Sequence, residues 1–144
     1  MPTPTQSFVA QGLLLNRGNA DGPPETFSTV AEITKVDLSG GKTKMEDATN
    51  FDSQGWAEKI PGITDAGDIT VEGNYLGNTD ATQKNLEADF EGKTKHNWKI
   101  VLPGGRGTWG PFSAYVTSFD PSLPNDKKAT FKLTLTITGS RSFA

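Results

Sequence analysis

The segment 129–138 restricts the fold of this chain most, because its apolar and polar residues alternate with a period of two. Only an extended strand places alternate side chains on opposite faces. The segment 67–76 alternates in the same way, so the sequence predicts two strands that each have an apolar and a polar face. The apolar faces, which we expect to point into the core, carry Ile69, Val71, Tyr75, Phe131, Leu133, Leu135 and Ile137. The polar faces carry Asp68, Thr70, Glu72, Asn74, Thr130, Lys132, Thr134, Thr136 and Thr138.

Other short apolar or β-branched runs predict strands at 8–15, 29–37, 95–102 and 109–119. Pro111 lies inside the last run and indicates an edge or a bulge, because proline has no N–H for a ladder hydrogen bond. A loop is expected at 120–126. The 144-residue chain is therefore predicted to form a single domain over 1–144. Its fold class is mainly β: an antiparallel β-sandwich or barrel of about six to eight strands with one flanking α-helix.

The predicted helix occupies residues 80–91. Asp80 is the expected N-cap, Leu86 and Phe90 are spaced for one apolar stripe, and Gly92 suits the position after the last turn. We expect the apolar stripe to pack on the outside of the sheet. The charged face is expected to point outward, and it carries Lys84, Glu87, Asp89 and Glu91.

Residues 39–66 form the least regular part of the pattern. The segment is rich in glycine and charge, and it reads as a long irregular loop of the kind that is usually functional or disordered. Its apolar residues either pack back on the domain or dock on another molecule. These residues are Met45, Phe51, Trp56, Ile60 and Ile63. A loose tail at 1–6 and a turn at 21–24 are also predicted.

The composition excludes several classes of protein. The absence of cysteine excludes a disulfide framework and thiol chemistry, and the single histidine excludes a multi-histidine metal site within one chain. A formal net charge of −3 argues against a nucleic-acid footprint, and no apolar run is long enough for a membrane helix. His96 lies on the apolar side of its strand beside Trp98, where a packed or interface histidine is favoured over a catalytic base.

Two sets of candidate side chains also fit a structural role better than a functional one. Asp68 and Glu72 lie about 13 Å apart along one strand, which is too far for a glycosidase pair. The tryptophans Trp56, Trp98 and Trp109 have no basic groove beside them that would favour base stacking. We therefore expect no metal, no cofactor and no enzymatic activity.

Two stretches carry a resemblance to a known family. They are 61–75 and 127–139, in this order and with the predicted helix after the first. Together with 98–102, 112–119 and the Asp120-Pro121 loop, they resemble tail tube proteins of long-tailed bacteriophages of the lambda-like type. The similarity covers about residues 28–139.

The resemblance implies a structural virion protein, made in the host cytoplasm, that forms hexameric rings. The rings stack into the tail tube, which is the conduit for DNA ejection into the host, and sheets continue from subunit to subunit. The implied partners are further copies of the chain, the tape measure protein, the tail tip or baseplate, and the tail terminator, with DNA passing through without sequence-specific binding. Membrane binding is not expected.

In such a ring the two polar strand faces are expected to line the lumen, since a water-filled channel needs a polar wall. The segment 39–66 is expected to be an assembly loop that reaches the next ring, with its apolar residues in inter-ring contacts. Three alternatives remain open at this point. They are a tail terminator or other head–tail connector ring, a monomeric carbohydrate-binding β-sandwich, and a small hydrolase.

Overall fold

The computed structural model describes residues 7–19 and 25–144. Within these ranges the chain forms nine strands and one α-helix. The predicted tail at 1–6 and the predicted turn at 21–24 lie outside the described residues. The strands are β1 Leu14–Gly18, β2 Phe27–Thr29, β3 Ile33–Ser39, β4 Lys42–Asp47, β5 Lys59–Asp65, β6 Asp68–Asn74, β7 Lys95–Val101, β8 Thr108–Ser122 and β9 Thr130–Thr138; the helix α1 is Ala81–Gly92.

Seven strands form one antiparallel sheet in the order β2-β1-β7-β8-β9-β6-β3. The long strand β8 joins its two halves, because residues 108–115 pair with β7 and residues 113–122 pair with β9. The register of β8 against β9 shifts between Val116 and Ser118, which places a bulge at Thr117. The strands β4 and β5 form a separate two-stranded sheet.

The core is the apolar face of this sheet, and it has the composition that the alternation predicts. Six of the seven residues predicted to face inward are buried, and Tyr75 packs against them while partly exposed. Residues from both halves of the sheet belong to the same cluster, so the sheet curls around its own apolar side. Trp98 and Phe112 are the largest side chains that are almost completely buried. The fold is thus mainly β, as predicted, with nine strands rather than six to eight.

Several predicted element boundaries were wrong for local reasons. The strand expected at 8–15 begins only at Leu14, because the chain turns at Gly12 with a φ of 93°. The strand expected at 29–37 is divided between β2 and β3 by a turn in which Glu32 has a φ of 53°. The loop expected at 120–126 begins late, since β8 continues to Ser122. At Pro111 the register against β7 is irregular, in agreement with the predicted bulge.

The segment 39–66 is not an irregular loop. Its residues 42–65, named the arm below, form an antiparallel hairpin of β4 and β5 around a tip that contains a short 3₁₀ turn, Phe51–Ser53. Gly67 connects the arm to β6 with a φ of 89°, and a Cβ there would lie 2.1 Å from the carbonyl oxygen of Ser39. Only glycine fits this crossing of two backbones.

The helix forms where predicted but buries different residues. Leu86 is buried in the core, whereas Phe90 is 41% exposed, so the expected Leu86–Phe90 stripe was wrong. Gln83 and Asp89 are buried instead, and Asp89 therefore does not belong to an outward charged face. The side chain of Asp80 makes no capping hydrogen bond. Within the described residues, α1 falls short of the length and apolarity that a membrane-crossing helix needs.

Candidate functional site

The polar residues of β6 and β9 lie opposite one another on one surface. The antiparallel register pairs Asp68 with Thr136, Thr70 with Thr134, Glu72 with Lys132, and Asn74 with Thr130. Thr138, the ninth residue predicted for this surface, pairs with Ser113 of β8. Directly opposed residues of an antiparallel pair share a face. The two polar strand faces that the sequence predicted separately therefore form one surface.

This surface, named the polar face, extends to both neighbouring strands. Register against β6 adds Lys35, Asp37 and Ser39 of β3. Register against β9 adds Ser118, Asp120 and Ser122 of β8. The residue pattern did not predict that these residues of β3 and β8 belong to the polar face. Apolar and polar residues alternate only loosely in β3, and the bulge at Thr117 reverses their alternation in β8.

Hydrogen bonds and ion pairs link neighbouring strands across the polar face. The hydroxyls of Thr117 and Thr136 lie 3.1 Å apart. Lys35 Nζ lies 3.3 Å from Asp37 Oδ2 and 4.0 Å from Glu72 Oε2, with all three side chains well exposed. The charged residues of the face on β3, β6, β9 and β8 are four carboxylates and two ammonium groups, so the face is acidic. They are Lys35, Asp37, Asp68, Glu72, Asp120 and Lys132.

The four-stranded part of the sheet that carries the polar face has an open edge on each side, at β3 and at β8. Among the described residues, β3 pairs with β6 alone, and the part of β8 beyond Tyr115 pairs with β9 alone. An open edge presents unpaired N–H and C=O groups to any strand that fits beside it.

The apolar side chains of the arm do not pack back on the domain. All five predicted contact residues are exposed, with Trp56 78% and Ile63 84% accessible. Met45 lies opposite Pro61 and Glu46 lies opposite Ile60, so apolar groups occur on both faces of the hairpin. The five residues, all on the arm, are Met45, Phe51, Trp56, Ile60 and Ile63.

The arm also carries charge and an ordered tip. Lys44 Nζ lies 3.4 Å from Glu46 Oε1. Asn50 caps the 3₁₀ turn by accepting a hydrogen bond from the Asp52 N–H at 2.8 Å. Hydrogen bonds from the side chain and the backbone of Thr49 lower the pKa of the Asp47 carboxyl.

His96 is a buried structural residue, in agreement with the sequence. Its Nδ1 donates a hydrogen bond to the carbonyl of Gly18 at 3.0 Å, and its Nε2 lies 3.0 Å from Asp89 Oδ1. Arg17 binds the same carboxylate in a bidentate manner, with Nε 2.6 Å from Oδ2 and Nη2 2.7 Å from Oδ1. The three side chains join β1, α1 and β7.

The geometry does not favour the carbohydrate alternative. The three tryptophans do not form a platform: Trp98 is buried, Trp109 packs on Phe143 at a centroid distance of 4.7 Å, and Trp56 lies on the arm. No group of three or more potential metal ligands occurs among residues 7–19 and 25–144.

A comparison with protein-family models identifies one family. The model of the phage tail tube protein family matches residues 9–143. Solved structures with a similar fold include a chain from the tail of an empty gene transfer agent particle with C6 symmetry, which is 20% identical. That match has a TM-score of 0.72 and covers 96% of this chain and 99% of the other. No curated protein sequence matches this chain.

Two further structures have the same fold. A chain of the SPP1 tail tube is 15% identical, with a TM-score of 0.68 over 95% of this chain and 78% of the other. A chain of the tube terminating cap of the anti-feeding prophage is 14% identical, with a TM-score of 0.70 over 100% of this chain and 95% of the other. The family match extends over almost the whole chain. It shows that the chain belongs to the phage tail tube protein family and is a structural protein of the virion tail.

Proposed function

We propose that this chain forms hexameric rings that stack into the tail tube, with the polar face lining the channel through which DNA passes. The observation that carries this proposal is the continuous polar face itself, which is formed by four strands whose opposite side is the apolar core. A solvated, acidic surface suits the wall of a channel for a polyanion, because cations along the path would bind the phosphates.

Ring formation is supported by the two open edges of the same four strands. Joining the edge of one subunit to that of the next removes unpaired backbone groups and continues the sheet around the ring. The C6 symmetry of the similar gene transfer agent tail supports six subunits in a ring.

The arm is proposed to contact the next ring. Its five apolar side chains remain at least half exposed on their own domain. A hairpin that carries apolar groups on both faces gains most by insertion between other subunits, because both faces then lose their contact with water.

The proposed partners beyond the chain itself are the tape measure protein inside the tube, the tail tip or baseplate, and the tail terminator. DNA would pass without sequence-specific recognition, and no catalytic step is assigned to the chain. A terminator role is the second candidate, since the tube terminating cap of the anti-feeding prophage shares the fold. The tail tube family match favours the tube role.

Electron microscopy of the purified protein tests the proposal and separates the two candidates. A tube protein is expected to polymerise, if necessary after addition of isolated tail tips, into hollow tubes with sixfold symmetry. A terminator would give single rings that do not lengthen. Sedimentation that shows only monomer at high concentration and with tail tips would contradict both.

A further inference from the structure

A groove lies where the arm leaves the sheet, between the base of the arm and the residues that follow β9. Its volume is about 760 Å³. Ile63 and Ile137 contribute apolar side chains to this groove. Lys42 and Arg141 contribute two cations, against the single carboxylate of Asp65. The groove thus combines apolar surface with a net positive charge.

Neither cation of the groove is paired. Within the described parts of the chain, the side chains of Lys42 and Arg141 take part in no hydrogen bond or ion pair. The guanidinium of Arg141 lies against the backbone of Gly41, where a Cβ would lie 3.3 Å from Nη2, and the residue is only partly exposed. A carboxylate brought to this guanidinium would form charge-assisted hydrogen bonds, which are the strong ones. The groove therefore suits an occupant that carries apolar and acidic groups side by side.

The tip of the arm has the complementary chemistry. Phe51 is fully exposed there, and the neighbouring Asp52 is exposed as well. Both belong to the 3₁₀ turn that Asn50 caps, so they are held in a preformed turn rather than in a loose loop. Residues 46–58 contain four carboxylates and no lysine or arginine, and the carboxylates are those of Glu46, Asp47, Asp52 and Glu58.

The loop between β8 and β9 is a less suitable occupant of the groove. It exposes Leu123, which is 68% accessible. Two cations follow, Lys127 and Lys128, and Asp126 is the single carboxylate of residues 123–129. Insertion of this loop would bring like charges together, which costs free energy at an interface. Charge complementarity therefore favours the tip of the arm.

The tip does not reach the groove of its own chain. The groove lies at the base of the arm, and the nine residues from Lys42 to Phe51 span up to about 30 Å at about 3.3 Å per residue. The nine residues of β9 span about 27 Å at the same rise, so the arm is about as long as this strand. The occupant is therefore the tip of a second copy, displaced by about the length of one arm.

A contact between tip and groove is heterologous, because it joins two different surfaces of identical chains. Every copy offers one tip and one groove, so each copy can bind one neighbour on either side. Heterologous contacts that do not close on themselves generate open, growing assemblies. This is the kind of contact that the stacking of rings requires.

We propose that the arm tip of one subunit docks in the groove at the arm base of a subunit in the next ring, where Phe51 packs on Ile63 and Ile137 and Asp52 pairs with Arg141. The proposal rests on the proposed stacking of rings and names the surface that receives the arm. Docking removes the phenyl ring of Phe51 from water and gives Arg141 the acceptor that it lacks within its own chain.

Reversal of the charge pair tests the docking. Asp52→Arg would oppose two guanidinium groups, and Arg141→Asp would oppose two carboxylates. Each single variant is expected to raise the protein concentration at which tubes form by about tenfold or more. The melting temperature of the monomer should stay unchanged, since neither side chain has an ion-pair partner within the described residues of its own chain. Asp52→Arg with Arg141→Asp is expected to recover tube formation, because every contact then has the pair reversed.

The matched control changes the competing loop instead of the tip. Asp126→Arg with Arg141→Asp reverses the same number of charges and should remain defective. Recovery in this control rather than in the tip variant would assign the groove to the loop between β8 and β9 and overturn the docking of the tip.

Cysteine pairs locate the contact without charge reversal, and the chain has no cysteine of its own. Asp52→Cys with Arg141→Cys, assembled at high protein concentration and treated with a short bis-maleimide, is expected to give a ladder of covalent multimers. The two positions lie at the tip and at the base of the arm, so the reagent does not join them within one chain. Asp126→Cys with Arg141→Cys is the control pair and should stay monomeric in a denaturing gel.

Two further results would overturn the docking of the tip while leaving the stacking of rings intact. One is tube formation by either single charge variant at the wild-type concentration. The other is a double variant that stays defective together with an absence of cross-links in the 52–141 pair. Absence of tubes from the wild-type chain, also with tail tips, would instead contradict the proposed function, and the docking with it.

Discussion

Asp89 is the residue whose position differs most from what the sequence suggests. On the helix it reads as part of a charged outer face, yet its side chain is only 5% exposed and is held by Arg17 and His96. Gln83 is another such residue. Its side-chain amide donates to the carbonyls of Ala31 and Asn74, and its carbonyl accepts from the Leu76 N–H. These long-range contacts fix the helix against three strands and their turns.

Removal of the Asp89 carboxylate should strongly destabilise the fold. In Asp89→Ala, Arg17 would remain almost buried without its partner, so we expect the free energy of unfolding to fall by about 3–5 kcal/mol. Chemical denaturation of the monomer, followed by circular dichroism, measures this change. Glu87→Ala on the exposed side of the same helix is the control and should change the free energy by less than about 0.5 kcal/mol. Equal effects of the two variants would show that the buried cluster contributes nothing specific.

At the scale of elements, helix and arm differ in what they pack against. The helix buries one apolar side chain, Leu86, completely and leaves Phe90 partly exposed. The arm is a two-stranded hairpin that exposes all five of its predicted contact residues. Isolated two-stranded hairpins are only marginally stable in water. The helix therefore contributes to the stability of the monomer, whereas the arm has contact residues available for assembly.

Two substitutions in the helix should separate its buried and exposed apolar positions. Leu86→Ala is expected to lower the free energy of unfolding by about 2–5 kcal/mol, because it opens a cavity in the core. Phe90→Ala should cost clearly less, since its side chain is already 41% exposed. Thermal or denaturant unfolding of both monomers provides the comparison. A larger loss for Phe90→Ala would show that the helix packs in a different orientation.

The arm should be important for polymerisation and unimportant for monomer stability. Trp56→Ala removes a side chain that is 78% exposed, so the melting temperature of the monomer should stay nearly unchanged while tube formation falls. Light scattering and electron microscopy measure tube formation. Amide exchange in the arm is expected to be fast in the monomer and slow in the tube. A lower melting temperature with normal polymerisation would contradict this role.

At the scale of the whole molecule, the sheet divides the protein into two environments. Its inner side is a closed apolar core, and the polar face on its other side is continuous over four strands. The assignment of that face to the lumen is a proposal about the assembly, so its test requires complete particles.

Added cations on the polar face should slow DNA ejection. Thr134→Lys with Thr138→Lys adds two positive charges per subunit and leaves Lys35, Glu72, Lys132 and Asp120 unchanged. We expect tubes to assemble and DNA release to be slower, because phosphates would bind the new ammonium groups. The matched control, Asn85→Lys with Ala88→Lys, adds the same charge on the exposed side of the helix. Equal ejection rates of the two particles, measured by release of dye-bound DNA, would contradict the lumen assignment.

The sequence by itself determined the strands with strict alternation. The inward residues of β6 and β9 are buried, and the polar residues of each strand lie on its opposite side, as the period of two requires. It also located the helix and identified the exposed apolar residues of the segment 39–66. A recognisable family pattern then supplied the overall architecture. These features depend on side-chain order along the chain, which is a local property.

The tertiary structure decided everything that depends on partners distant in sequence. The burial of Asp89 depends on Arg17, which is 72 positions away. The arm is a hairpin because β4 and β5 pair with each other, although neither segment has a residue pattern that predicts a strand. The polar face spans four strands only because they align in one register, and the bulge at Thr117 moves Asp120 onto it. Such features follow from the relative positions of strands, which the residue pattern of any single strand does not contain.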